Sequence, residues 1–131
     1  MTEQYGQCTK ELIKKSKMKN KLKDYRRNVE ALIKQRDLCK YYKTEIKNTI
    51  NGLEEKYYAG LIDKRTFSAY IDKYLEGRQP QDWYSMYDYH INECNEDIMS
   101  YEEKINEINK QFVNKKNSLA MIFTVIGIIA L

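Results

Sequence analysis

Two stretches of this chain place apolar side chains at alternating steps of three and four residues, and that spacing restricts its fold more than any other feature. The cleaner stretch is Tyr84, Tyr87, Ile91, Cys94, Ile98, Tyr101, Ile105, Ile108 and Phe112, in which every position is apolar or aromatic. The same phase runs on through Lys115 to Leu119, Ile122, Ile126 and Ile129. The other stretch is Leu22, Tyr25, Val29, Leu32, Arg36, Cys39, Lys43, Ile46, Ile50, Leu53 and Tyr57, with Arg36 and Lys43 as its polar interruptions. Residues spaced in this way fall on one stripe of an α-helix, so each stretch predicts a long helix with a single apolar seam. Leu38 and Tyr42 sit beside the interruptions and widen the first stripe.

A chain with one proline and five glycines has too few turn residues for a β-rich fold of this length. The expected fold is therefore all-α. Helix 1 should run from about Thr9 to Ala59, and helix 3 from about Gln81 to the end. Between them Gly60 can end a helix in the left-handed conformation. Asp63 is the next N-cap candidate, with Ile62 and Phe67 placed as a hydrophobic staple. A short helix should follow over 64–76 and stop at Gly77. Pro80 suits the first turn of the next helix.

One seam per helix leaves each long helix in need of a partner. The short linker makes the two natural partners in a long antiparallel coiled-coil hairpin, with the short helix at its tip. Homo-oligomerisation is the alternative that a heptad pattern also permits. Pairing Tyr57 with Tyr84 would put residue i level with residue 141 − i. Cys39 would then lie level with Glu102, Cys94 with Lys47, and Lys115 with Arg26.

The turn region resembles the SHOCT-type short helix–turn–helix motif. The matching positions are Leu53, Gly60, Ile62, Phe67 and Leu75, whereas Asp63, Thr66 and Tyr74 depart from it. The resemblance implies a small interaction or oligomerisation unit of the kind attached to other domains, often membrane ones. It implies no active site.

Residues Leu119 to Leu131 carry no charge. At about 1.5 Å per residue they span roughly 20 Å, less than the ~30 Å of a bilayer core. The segment is expected to be a hydrophobic anchor: either a transmembrane helix whose remainder follows Leu131, or a short tail anchor. Leu119, Ile122, Phe123, Val125, Ile126, Ile128 and Ile129 would face lipid. A buried core helix is the competing reading, weakened because no other part of the chain offers apolar surface enough to surround it. Lys115 and Lys116 favour a cytoplasmic side for the preceding residues. Three widely spaced cysteines with no CxxC fit that reducing compartment.

The net charge of +4 is unevenly placed. Residues 1–27 hold nine Lys and Arg against Glu3, Glu11 and Asp24, whereas 28–131 are slightly acidic. The first part reads as a basic arm beginning helix 1, residues 28–117 as the cytoplasmic hairpin, and 118–131 as the anchor. In the 141 − i register the arm reaches the headgroups, so Lys14, Lys15, Lys17, Lys19, Lys21 and Lys23 are expected to contact anionic lipid. A solvated helix face is the plain alternative. Nucleic acid is the least favoured partner, because no aromatic side chains interleave with the lysines and no known nucleic-acid fold is visible.

Chemistry that would mark an enzyme is missing from the pattern. The sole histidine, His90, has Cys94 and Asp97 at helical spacing, but Cys94 is a seam position and a structural metal site wants four ligands. No metal, cofactor or catalytic residue is expected. The aromatic side chains gather instead near the turn. Gly60, Ile62, Phe67, Tyr70, Tyr74 and Trp83 are expected to form the tip and its contact surface for an unknown protein partner, part packed and part exposed. The function expected is a membrane-attached scaffold presenting that tip for protein contact or self-assembly. The alternatives are an N-terminal cytoplasmic module of a longer membrane receptor or channel, and a nucleic-acid-binding protein using the basic arm.

Overall fold

The computed structural model describes the backbone of residues 2–130 and the side chains of residues 9–114. The described residues form three helices: α1 (Thr2–Tyr58), α2 (Lys64–Tyr74) and α3 (Pro80–Ala130). Among the described residues there is no strand. The chain divides into two compact units, one of residues 1–30 with 98–131 and one of residues 31–97.

The helix ends follow from local chemistry. After α1, Gly60 takes φ +75°. Its N–H donates to the Tyr57 carbonyl at 3.0 Å, and the N–H of Leu61 reaches back to the Lys56 carbonyl at 2.9 Å. This pair of bonds satisfies carbonyls that a helix end otherwise leaves bare. Asp63 then caps α2, its carboxylate accepting from the Thr66 N–H at 2.7 Å. Helix α3 opens on Gln79, whose N–H donates to the Asp82 carboxylate at 3.1 Å, with Pro80 in the first helical position.

Helix α2 stops at Tyr74, two residues short of the expected Glu76. The closing turn falls on Glu76, at φ +56°, before Gly77 is reached. The Gly77 N–H donates to the Asp72 carbonyl at 2.9 Å and that of Glu76 to Lys73 at 3.4 Å. A glutamate thus occupies the left-handed position that ends the helix, with the expected glycine one residue later.

In the unit of residues 31–97, α1 and the start of α3 run antiparallel. Lys43 pairs with Asp88, Arg36 with Asn95, and Lys47 stands over the Tyr84 ring. These contacts put residue i of α1 level with about residue 131 − i of α3. The expected 141 − i is off by ten residues, or about 15 Å along the axis. The cause is α2. Tyr57 stacks on Phe67 of α2 with centroids 5.2 Å apart, so the last turns of α1 pack against the short helix instead of against α3.

Every seam position in this unit is buried or half-buried, including Arg36 and Lys43. Leu38 and Tyr42, by contrast, are exposed. The buried apolar residues of the described chain are Ile46, Leu75, Cys94 and Ile98, with Leu75 the most enclosed. Burying a whole Leu or Ile side chain contributes about 1.5–3 kcal/mol. With so few of them, half-buried seam residues must supply much of the stability.

In the other unit, Tyr25 of α1 meets Tyr101 of α3 with centroids 5.7 Å apart. The Lys104 ammonium stands 5.7 Å from the Tyr25 centroid and 5.3 Å from that of Tyr101. Leu22, Val29, Ile105, Ile108 and Phe112 are half-buried, and Ile98 is buried.

Candidate functional site

The three helices of the 31–97 unit meet around Leu75, which is 2% exposed. Its carbonyl accepts twice, from the Arg78 N–H at 3.1 Å and from the Trp83 indole N–H at 2.9 Å. The Arg78 guanidinium lies over the Trp83 ring at 5.5 Å. Trp83 in turn stacks loosely on Tyr87, and Tyr87 on Tyr42 of α1. A small cleft of about 150 Å³ opens among Tyr42, Ile46, Tyr74, Leu75, Trp83 and Tyr87. Burial raises the Tyr87 phenol above its ordinary pKa, with Cys39, Tyr42, Tyr74 and Glu45 adding to the effect.

This arrangement sorts the residues expected at the tip. Gly60 makes the turn, and Ile62 and Phe67 are half-buried. Trp83 is half-buried and spends its one donor on Leu75, which makes it an internal strut. Tyr70 and Tyr74 are exposed, at 51% and 40%. Two residues not singled out from the sequence are more exposed still, Tyr58 at 81% and Leu61 at 74%. Tyr58 follows a seam tyrosine, and only its place off the 3–4 spacing could have marked it as outward.

The basic stretch is divided between two grooves of the other unit. Lys14, Lys17 and Lys21 line one of about 400 Å³ together with Lys104 and Ile108 of α3. Lys19 and Lys23 line a second with Leu22, Arg26, Arg27 and Glu30. Lys15 is exposed and lines neither groove. The stretch from Lys14 to Tyr25 thus lies alongside residues 104–111 of α3. The 141 − i register, which had Lys115 level with Arg26, does not hold here.

Among the described residues no helix is long and apolar enough to cross a membrane. The side chains of the expected anchor, Leu119, Ile122, Phe123, Val125, Ile126, Ile128 and Ile129, lie outside the described residues. Among the described residues no three His, Cys, Asp or Glu side chains gather into a metal-sized cluster. His90 stands 3.8 Å from Glu93. The Cys94 thiol is pushed up, first by burial and then by Cys39, Asp97 and Glu93, with Arg36 opposing. Such a thiol is a weak nucleophile at neutral pH.

Compared with protein-family models, with curated proteins and with solved structures, the chain matches none.

Proposed function

We propose that this chain is a membrane-attached helical scaffold whose aromatic end, built on α2, is a protein-contact surface. The observation that carries the reading is the exposure of Tyr58, Leu61 and Tyr70 around one short helix. Tyrosine joins large contact area to a hydrogen-bonding tip and loses little rotamer freedom on binding, which is why it recurs at contact surfaces. The base beneath is pre-organised: Leu75 is fully buried and Trp83 is tied to it. A rigid base lowers the ordering cost of binding. The uncharged run 119–131 supplies the membrane end, and Lys115 and Lys116 favour a cytoplasmic place for what precedes it.

The test is a photoreactive benzoylphenylalanine placed in the full chain at Tyr58, Leu61 or Tyr70, with Asp37 as an exposed control. Specific adducts from the first three positions and none from Asp37 are expected; an adduct of twice the chain mass would identify self-assembly. The same cells should keep the chain in membranes after an alkaline carbonate wash. Absence of adducts above control at all three positions rejects the contact surface, and release by carbonate rejects the anchor.

A further inference from the structure

We propose that Lys14, Lys17, Lys21 and Lys104 form a site for an anionic amphiphile, a lipid-type molecule with a charged head and an alkyl chain. The site is the groove of about 400 Å³ between α1 and α3 in the unit of residues 1–30 and 98–131. That volume falls in the range of small-molecule pockets, roughly 300–1,000 Å³. The proposal goes beyond the contact surface on α2, and its class of ligand follows from the lining of the groove itself.

Three observations converge on this chemistry. The charges lining the groove are the four lysines against Glu107 alone. Lys14, Lys17 and Lys21 are spaced at i, i+3 and i+7, so one face of α1 carries all three along the groove. Beneath the ammonium groups the lining is apolar, with Met18 and Ile108 half-buried and the ring of Tyr25 beside them. Lysine stems extend this apolar surface while their heads stay in water.

Lys104 adds a cation set in position. Its ammonium is drawn to the faces of Tyr25 and Tyr101, at 5.7 and 5.3 Å from their centroids. Attraction of this kind holds an ammonium over a ring without neutralising it. An anion entering the groove therefore meets one cation already placed and three on flexible stems. The apolar floor decides among anions. A phosphodiester backbone or inorganic phosphate would satisfy the lysines and leave Met18 and Ile108 uncovered, whereas an alkyl chain covers them. Lys15, Lys19 and Lys23 lie outside the groove, which separates this site from general attraction to a charged surface.

The probe is decanoate below its micelle concentration, added to the full chain carrying ¹³C-methyl methionine. The Met18 methyl resonance, assigned from a Met18→Leu variant, should shift and saturate, while those of Met86 and Met99 stay in place. Lys104→Gln should raise the half-saturating concentration about fivefold, Lys104→Arg should restore it, and Lys15→Gln should leave it unchanged. Helical circular dichroism of each variant checks that it folds. Decanol should produce no comparable shift.

A Met18 resonance that does not move, an equal response to decanol, or indifference to Lys104→Gln would each overturn the site. So would a single-stranded oligodeoxynucleotide that shifts Met18 with the same Lys104 dependence, which would reassign the lysines to nucleic acid. Phosphatidylserine vesicles provide the separate arm, read as binding in excess of that to phosphatidylcholine vesicles, which the run 119–131 supports equally, with the triple variant Lys15→Gln, Lys19→Gln, Lys23→Gln. Excess binding lost in that variant while Met18 still shifts with decanoate supports the site and removes it only from the wider lipid surface. Excess binding that persists while Met18 stays silent overturns the site and leaves the arm as a diffuse contact.

Discussion

The ammonium of Lys43 stands 2.6 Å from the carboxylate of Asp88, joining positions 45 residues apart across the α1–α3 seam. A second polar contact, Arg36 to Asn95 at 3.2 Å, keeps the same register two helical turns away. Both seam interruptions thus find polar partners, and both do so in one register. A polar group in a heptad seam costs stability and fixes register.

The Lys43–Asp88 pair is half-exposed, with side chains 27% and 50% accessible, so its direct worth is modest. A double-mutant cycle on Lys43→Ala and Asp88→Ala should give a coupling of about 0.2–1 kcal/mol, falling in high salt. The two reversals Lys43→Asp and Asp88→Lys should each lower the thermal midpoint, and the double reversal should recover most of the loss. Strict additivity of the two reversals would show that the charges do not meet in solution.

Leu75 is the residue on which the three-helix junction depends. Leu75→Ala should cost about 2–5 kcal/mol, the range for a fully buried leucine. Trp83→Phe keeps most of the ring but removes the bond to the Leu75 carbonyl, and should cost about 1 kcal/mol. Phe67→Ala should fall below Leu75→Ala, because Phe67 is only half-buried. Urea unfolding followed by circular dichroism measures all three. A Leu75→Ala loss smaller than that of Phe67→Ala would contradict the packing described.

Glu76 offers the opposite sign. A non-glycine residue at φ +56° carries a steric cost of roughly 1–2 kcal/mol, since its Cβ crowds the carbonyl. Glycine removes that cost but loses more entropy on folding, about 0.5–1 kcal/mol. Glu76→Gly should therefore raise stability by up to about 1 kcal/mol, and Glu76→Asn by less. Gly77→Val and Gly60→Val should both lower it, at φ +74° and +75°. A Glu76→Gly midpoint below that of the parent chain would mean that the glutamate makes a compensating contact.

The sequence made the helices and their facing stripes legible, because a 3–4 spacing sustained over many turns has one physical solution. All twenty seam positions from Leu22 to Tyr57 and from Tyr84 to Phe112 are buried or half-buried. Gly60 and Asp63 were equally legible, since few residue types end or begin a helix well. The register was not. A heptad fixes which face is buried and leaves free how far one helix slides along the other. Here the slide is set by Tyr57 meeting Phe67 on α2, a contact between elements that no periodicity encodes. The same limit hid the groove, since Lys104 joins Lys14, Lys17 and Lys21 only once the register is known.

The corrected register also changes what the cysteines should do. Cys39 now stands level with about residue 92, so Cys94 lies only about 3 Å away along the axis, where the expected register put it ~12 Å away. Cys94 is 5% exposed and Cys39 is half-buried. The Cys94 thiol sits above its usual value of 9.0, because burial and the neighbouring Cys39 both disfavour its thiolate. Only the thiolate attacks. Iodoacetamide at mildly alkaline pH should therefore alkylate Cys39 well before Cys94, as read from the tryptic peptides, and Cys39→Ser should make Cys94 somewhat more acidic. The pH dependence has a definite sign. A folded-state pKa above the unfolded one means that the native chain holds this proton more tightly. The stability so contributed is complete below the unfolded value and is lost as pH rises through the folded one. The thermal midpoint should fall above about pH 9, less steeply in Cys94→Ala, with Tyr87→Phe as a control because the Tyr87 phenol is raised too. Alkylation of Cys94 as fast as that of Cys39 in the native chain would show that the seam opens at this level.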